Sequence, residues 1–189
     1  MKGFLASKRS IIIVLLIFLA VYGAMQFSLQ SFKVEGLSMQ PSFHNDEYLV
    51  VDKLSYRFGS PGRGHVIVFH NPVSADSPPL IKRIVGLPGE TVDIRDGYVY
   101  INGQLLKEEP QFGPVPHPGN CPMKIPENHY FVLGDNRTNS TGSHIFGPVP
   151  EANIVGRVWL SYWPASEWGL SPRYSATLES VVVASVVLG

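Results

Sequence analysis

The 189-residue sequence lacks several features that would point to common classes of protein. It holds one cysteine, Cys121, so no disulfide can form within the chain. This cysteine stands in a polar, proline-rich loop, which favours an incidental thiol over a nucleophile. The 15 Lys and Arg residues are balanced by 15 Asp and Glu residues, and without a basic surplus nucleic acid is an unfavoured partner. Because metal-ligand clusters, phosphate loops and nucleotide fingerprints are also missing, we expect no cofactor and no metal.

Only one apolar run is long, and it lies near the N-terminus. The run covers residues 10–29, and an α-helix needs about 20 residues to cross a bilayer. Lys2, Lys8 and Arg9 precede the run, which predicts a cytoplasmic N-terminus. A cleavable signal peptide is the alternative, but the run is long for one and its small-x-small sites are poor. We therefore predict a cytoplasmic segment 1–9, a membrane anchor 10–29, an extracytoplasmic domain 30–164 and a tail 165–189 of unknown role, whose apolar residues 181–188 are too few to span.

Beyond the anchor, the pattern predicts a mainly β fold with an antiparallel sheet. The chain has 18 glycines and 16 prolines, which suits many short strands joined by tight turns. Asp96-Gly97 and Asn102-Gly103 are hairpin signals. Residues 111–124 are proline-rich and are predicted to form an exposed loop, and no long amphipathic helix is predicted in this region. The predicted strands are residues 47–52, 65–69, 81–85, 91–95, 98–102, 129–133 and 154–162.

Two short segments carry a candidate nucleophile and its base. Ser38 stands in Gly36-Leu37-Ser38-Met39-Gln40-Pro41-Ser42, and a serine hydroxyl is a poor nucleophile until a base takes its proton. Lys82 has apolar neighbours on both sides, and burial among apolar groups favours the neutral amine that can serve as that base. Each has an ordinary alternative, since Ser38 also fits a turn hydroxyl and Lys82 a lysine that protects a strand edge.

A third segment, residues 134–143, completes a pattern that resembles the type I signal peptidase family, the membrane-bound Ser-Lys proteases that remove signal peptides. Residues 38–42 match its nucleophile box, residues 82–90 match its base box almost letter for letter, and residues 134–143 match its third box in part. The resemblance covers about residues 32–164. It implies an enzyme of the plasma membrane with a catalytic β-domain of the signal-peptidase type. Its partners would be preprotein signal peptides, cleaved after small residues, the lipid bilayer, and a nearby secretion translocon.

The same resemblance assigns roles to the catalytic side chains. Ser38 would be the nucleophile, Lys82 the general base, and Ser140 the residue whose hydrogen bond orients the lysine amine. Phe69 and Val132 would form the apolar wall around Lys82. The Ser38 N–H would be one oxyanion donor. The position two residues before the nucleophile, a serine in many relatives, is Gly36 here, which has no hydroxyl. A second donor must then come from backbone or substrate-proximal groups, and Gly36 itself is a candidate.

The resemblance also assigns substrate-binding and structural roles. The substrate would bind as an added strand along residues 32–35 and 79–81. Val34 and Ile81 match positions that shape the pockets for the −1 and −3 residues, although both also fit a plain core role. Arg83, Asp135 and Asn136 would hold the backbone of the site.

Three positions depart from the family pattern, and they leave two other functions open. Gly142 and His144 replace an acid and an arginine that form ion pairs in relatives, and His65 replaces another acid. Arg83 therefore needs a different partner, for which Asp135 is one possibility. One alternative function is a serine hydrolase with a histidine base. The other is a membrane-tethered β-domain that binds peptides without turnover.

Overall fold

The computed structural model describes residues 2–74, 76–108, 112–172 and 177–179, so the predicted apolar segment 181–188 lies outside the described residues. Apart from the first helix, the described helices are single turns, and thirteen strands make up the rest of the regular structure. The elements are α1 (Lys2–Ser28), β1 (Leu29–Lys33), β2 (Tyr48–Asp52), α2 (Ser55–Phe58), β3 (Val66–Phe69), β4 (Leu80–Gly86), β5 (Thr91–Arg95), β6 (Tyr98–Ile101), β7 (Gln104–Lys107), β8 (Met123–Lys124), β9 (His129–Leu133), α3 (Ser143–Phe146), β10 (Val149–Pro150), β11 (Ile154–Trp163), β12 (Gly169–Leu170) and β13 (Thr177–Glu179). Within these described ranges, no helix combines the length and the apolarity needed to cross a membrane.

The strands form two antiparallel sheets. The larger sheet has the order β1-β2-β11-β3-β4-β9-β10, with β12 pairing to β11. The smaller sheet has the order β13-β7-β6-β5-β8. Every pairing between these strands is antiparallel, and the predicted mainly β, antiparallel fold is confirmed.

Turn chemistry explains the hairpins of the smaller sheet. Asp96 and Gly97 have φ values of 50° and 82°, and Asn102 and Gly103 have φ values of 51° and 81°. Positive φ at both central residues is the type I′ geometry, whose twist matches that of the flanking strands. The two turns join β5 to β6 and β6 to β7, which makes a three-stranded meander.

Six described strands were not predicted from the sequence, namely β1, β7, β8, β10, β12 and β13. Three of them have a clear cause. Leu29 was assigned to the anchor, but Leu29–Lys33 forms β1 because five residues pair with β2, from Leu29 with Asp52 to Lys33 with Tyr48. Gln104–Lys107 forms β7 because the Asn102-Gly103 turn folds it back onto β6. Met123–Lys124, within the predicted loop, forms β8 by pairing with β5.

Apolar side chains of the described residues pack into three clusters. Two of these clusters lie next to the backbone that carries Ser38 and Lys82. One cluster includes Val34, Met39 and Phe43 around the loop that carries Ser38. A second includes Phe69 and Val132, on strands that flank β4. The third joins β5 and β6 to the ends of β4 and β9. Ser38 and Lys82 thus lie on backbone that is fixed by core packing from more than one side.

Candidate active site

Ser38 and Lys82 are brought together in the structure. Lys82 Nζ lies 2.7 Å from Ser38 Oγ, which is a hydrogen-bonding distance. Lys82 is only 5% exposed. Its burial lowers the pKa of the amine to about 8, although the negative charge of Asp135 acts in the opposite direction. The amine is therefore neutral in a usable fraction of molecules near neutral pH, and it can accept the serine proton.

Core contacts and turns place the two side chains. Lys82 belongs to β4, where it pairs with Ile67 of β3. Ser38 lies in a turn after β1, and its neighbour Met39 is 1% exposed and packs in the core. Hydrogen bonds from Gln40 N to Leu37 O and from Phe43 N to Met39 O close this turn. Since Met39 points into the core, the adjacent Ser38 side chain is left partly exposed beside Lys82.

Asn136 ties the third segment to the nucleophile turn. Its backbone N–H donates to the Ser38 carbonyl oxygen at 3.1 Å. Its side-chain Nδ2 donates to the Leu37 carbonyl oxygen at 3.1 Å. Its Oδ1 accepts from Asn139 N and so caps the short 3₁₀ helix Arg137–Asn139. One side chain therefore fixes both the turn that holds the nucleophile and the segment that leads to Ser140.

Arg83 pairs with Asp135, as the sequence suggested. Arg83 Nε and Nη2 lie 2.8 and 2.5 Å from the two Asp135 carboxylate oxygens. Arg83 Nη2 also donates to Ser42 Oγ at 3.2 Å. The guanidinium groups of Arg83 and Arg137 lie over the ring of Phe112, at 5.5 and 5.4 Å from its centroid. This buried network joins the residue after the base to the residue before Asn136.

The predicted hydrogen bond between Ser140 and Lys82 is not formed. Ser140 Oγ is buried and has no hydrogen-bond partner among the described residues. Lys82 Nζ is directed at Ser38 Oγ instead. Ser140 nevertheless lies close by, because a Cβ added at Gly134 would collide with both Ser140 Oγ and the Ser38 carbonyl oxygen. The absence of a side chain at Gly134 is what lets these two segments approach each other.

The two predicted oxyanion donors differ in availability. The N–H of Ser38 has no hydrogen-bond acceptor in the part of the chain that the structure describes. Gly36 has φ +92°, a conformation that suits glycine. Its N–H donates to Asn45 Oδ1 at 2.7 Å, so it is already engaged and is not free to bind an oxyanion.

A cleft of about 560 Å³ leads to the Ser38–Lys82 pair. It is lined by the predicted substrate segments, 32–35 and 79–81, together with Asn71 and Ser77. Val34 is 3% exposed and belongs to a core cluster against which Ile81 packs, so both have the core role considered from the sequence and also line the cleft. Strand β9 pairs with β4 only from Arg83 onward, so within the described ranges residues 80–82 have an unpaired backbone edge on that side.

The structure also shows a cluster that the sequence did not reveal. His44 Nδ1 lies 3.1 Å from Glu47 Oε1 and 3.6 Å from Glu167 Oε2. The buried Glu47 also accepts hydrogen bonds from His44 N and Ser161 Oγ. The three ligand-type atoms lie within 4.8 Å of one another, and hydrogen bonds and ion pairs within the protein account for them. Glu167 is distant in sequence, so no local pattern could have predicted this bridge.

Two other nucleophile schemes are not supported by the geometry. Burial and the charge of Asp93 raise the pKa of the Cys121 thiol to about 11, so the thiol stays protonated. Among the described residues, Ser38 Oγ has a hydrogen bond to Lys82 and none to a histidine.

Comparisons with known proteins identify the family of this chain. The chain matches the family described as signal peptidase, peptidase S26, over residues 7–163. It is 43% identical over 146 residues to signal peptidase I of Leptolyngbya laminosa, covering 72% of this chain and 71% of that protein. It is 40% identical over 138 residues to signal peptidase I V of Bacillus subtilis, and the match covers 66% of this chain and 80% of that protein. A crystal structure of signal peptidase I from Enterococcus faecalis is 34% identical, covers 52% of this chain and 97% of that one, and has a TM-score of 0.44.

An antiparallel β-domain that presents a serine hydroxyl to a buried lysine amine has the arrangement of a serine peptidase with an amine base. The chain belongs to the signal peptidase family, peptidase S26. Its function is that of a signal peptidase I, a serine endopeptidase that processes signal peptides.

Proposed function

We propose that this enzyme cleaves exported preproteins after their signal peptides through an acyl-enzyme on Ser38, with Lys82 as the general base. The observation that carries the proposal is the 2.7 Å approach of Lys82 Nζ to Ser38 Oγ. Neutral Lys82 takes the hydroxyl proton as Ser38 attacks the scissile carbonyl. The resulting ammonium gives that proton to the leaving amine, and the neutral lysine then deprotonates the water that releases the signal peptide.

The residues around the pair would position it rather than react. The Ser38 N–H is the proposed oxyanion donor, because it has no competing acceptor among the described residues. Asn136 would hold the nucleophile turn, and the Arg83–Asp135 pair would hold the end of β4 against the third segment. Ser140 would orient the lysine amine during the reaction, since its hydroxyl is buried beside Gly134 and has no other partner in the described structure.

The substrate would bind in the cleft as an added strand. The unpaired edge of residues 80–82 can supply main-chain hydrogen bonds to an extended peptide and place its scissile bond beside Ser38. Val34 and Ile81 line that cleft with branched side chains. These side chains leave room for small residues at −1 and −3, such as those of an Ala-x-Ala site.

Residues 10–28 would anchor the enzyme to the plasma membrane in a single pass, with residues 1–9 in the cytoplasm and the β-domain that begins at Leu29 outside. The support is the apolar run itself, the basic residues that precede it, and the exposure of the apolar side chains between Ile11 and Val21 on α1. An anchor here would keep Ser38 close to the membrane surface and near the secretion translocon, where signal peptides emerge.

The test is cleavage of a preprotein with an Ala-x-Ala site by the full chain in detergent, followed across pH. Wild type should cleave, with an acid limb near pH 8 from Lys82. Ser38→Ala and Lys82→Ala should lose at least about 10³-fold in kcat. Lys124→Ala, at an exposed lysine of β8, is the matched control and should retain wild-type activity.

Two outcomes would overturn the proposal. Activity that survives Lys82→Ala would favour a histidine base. Binding of the preprotein without processing at any pH would favour a peptide-binding domain.

A further inference from the structure

Ser140 and His144, each of which carries a buried polar atom, line one partly open cavity beside the active site. Ser140 Oγ and His144 Nδ1 have no hydrogen-bond partner within the described part of the chain. His144 is 4% exposed. Both residues line one cavity of about 450 Å³, together with Thr138, Asn139 and His117. Buried polar atoms in native proteins are as a rule hydrogen-bonded, and where protein groups do not serve, ordered water does.

The cavity has the size and polarity that water requires. A water molecule occupies roughly 30 Å³ in the liquid and needs two to four polar partners. Thr138 and Asn139 also line the cavity and supply further polar groups. The Ser140 end lies at the active site, because Gly134 contacts both the Ser140 hydroxyl and the Ser38 carbonyl region.

We propose that ordered water in this cavity connects His144 Nδ1 to Ser140 Oγ, and that His144 is a positioning residue for the Lys82 base, acting through Ser140. The inference rests on the proposed function of Ser38 and Lys82. It assigns a role to His144, a position where the family pattern has an arginine.

The protonation state of His144 sets the direction of this hydrogen-bond chain. In neutral His144 with its proton on Nε2, Nδ1 is an acceptor. The Ser140 hydroxyl then donates toward the water, and its lone pairs remain free to accept an N–H of Lys82. The lone pair of the amine is left for the Ser38 hydroxyl. In protonated His144, Nδ1 becomes a donor, so the chain reverses and the Ser140 hydroxyl competes with Ser38 for the lone pair of the amine.

The surroundings of His144 favour the neutral form. Burial lowers its pKa from the ordinary value, and the charges of Arg137 and His117 act in the same direction. Arg137 follows β9 and pairs with Glu108, and His117 lines the cavity from the segment between β7 and β8. His144 is therefore neutral at neutral pH, and the chain supports Lys82 there.

The test is the pH dependence of log kcat/KM from pH 4.5 to 9 for the full chain in detergent, with the Ala-x-Ala preprotein. Wild type should fall with a slope of about one below the pKa of Lys82 and about two once His144 also titrates. His144→Asn keeps an acceptor near the Nδ1 position but does not titrate, so it should match wild type at neutral pH and hold a slope of about one. His70→Asn, at an exposed histidine, should keep the wild-type profile.

A double-mutant cycle tests the connection to Ser140. His144→Leu and Ser140→Ala should each lower kcat about 10-fold with little change in KM, and the double variant should lose no more than either single variant. A slope of one throughout in wild type, an unchanged acid limb in His144→Asn, or additive losses would overturn the proposal. If His144→Leu does not fold, the Asn profile decides. A wild-type chain that cleaves nothing would instead count against the proposed function, and this inference would fall with it.

Discussion

Arg83 and Asp135 form a bidentate ion pair whose side chains are both 0% exposed. The pair joins β4, one residue after Lys82, to the segment whose next residue, Asn136, holds the nucleophile turn. A buried ion pair of this kind fixes geometry more than it adds stability, because desolvation offsets much of the attraction. Its removal should therefore disturb the relative position of the catalytic residues as well as the fold.

Asp135→Asn should destabilise the protein by about 3–5 kcal/mol, because it removes the carboxylate that pairs with the buried Arg83 guanidinium. The negative charge of Asp135 also raises the pKa of Lys82, so in the variant the acid limb of activity should move to lower pH. Thermal unfolding and a pH–rate profile measure the two effects. Asp46→Asn, which breaks the exposed pair with Lys33, is the control and should leave both unchanged. An acid limb that moves upward would contradict the electrostatic argument.

Lys82→Met should make the protein more stable at neutral pH while abolishing activity. The folded-state pKa of Lys82 is lowered to about 8 from 10.5, so its burial costs stability fully below pH 8. That cost shrinks as pH rises from 8 to 10.5, because the unfolded state binds more protons there. The variant should gain about 3 kcal/mol at pH 7 and almost nothing above pH 10.5. Unfolding followed at both pH values, with Lys124→Met as control, would refute this if the gain did not depend on pH.

Gly134→Ala should impair catalysis more than its size suggests. The new methyl group would collide with Ser140 Oγ and the Ser38 carbonyl oxygen, which forces the nucleophile turn away from the third segment. A displacement of about 1 Å can cost about 100-fold in rate, and overpacking typically costs about 1–3 kcal/mol. Steady-state kinetics and thermal unfolding check both. Gly169→Ala, where a Cβ meets nothing within 4 Å, is the control; equal effects in the two variants would rule out the close-approach explanation.

Ile81→Ala should broaden substrate choice. Shortening this side chain enlarges the cleft next to Ser38, so a preprotein with valine in place of alanine at −1 or −3 should gain about 10-fold in kcat/KM relative to the Ala-x-Ala substrate. Competition between the two substrates measures the ratio directly. Val73→Ala, at an exposed position of the β3–β4 loop, should leave the ratio unchanged. A ratio that stays at the wild-type value in Ile81→Ala would assign Ile81 to the core alone.

The sequence predicted elements whose causes are local. The strands at Thr91–Arg95 and His129–Leu133 were predicted with the observed bounds, because alternation and flanking turns mark them within a few residues. Strand β1 was not predicted, because Leu29 continues the apolar run and its pairing with Asp52 is a long-range contact.

The site shows the same division between local and long-range causes. The motifs identified Ser38 and Lys82, and they suggested the Arg83–Asp135 pairing. The lack of a bond between Ser140 and Lys82, and the burial of His144 Nδ1, depend on side-chain rotamers and packing across segments. No spacing in the sequence encodes these contacts, and they emerge only from the folded chain.

The unpaired backbone edge of residues 80–82 ends at the base itself. Main-chain hydrogen bonds to this edge would fix the register of a bound peptide relative to the Lys82 amine, independently of the side chains of the peptide. If the proposed binding mode holds, the enzyme would need only two small side chains in its substrate, and one enzyme would then process many unrelated secreted proteins. Such low sequence specificity would also allow wrong substrates. Any extended chain that reaches residues 80–82 with small residues at the required positions would be cleaved, so specificity would depend on which chains can reach this edge.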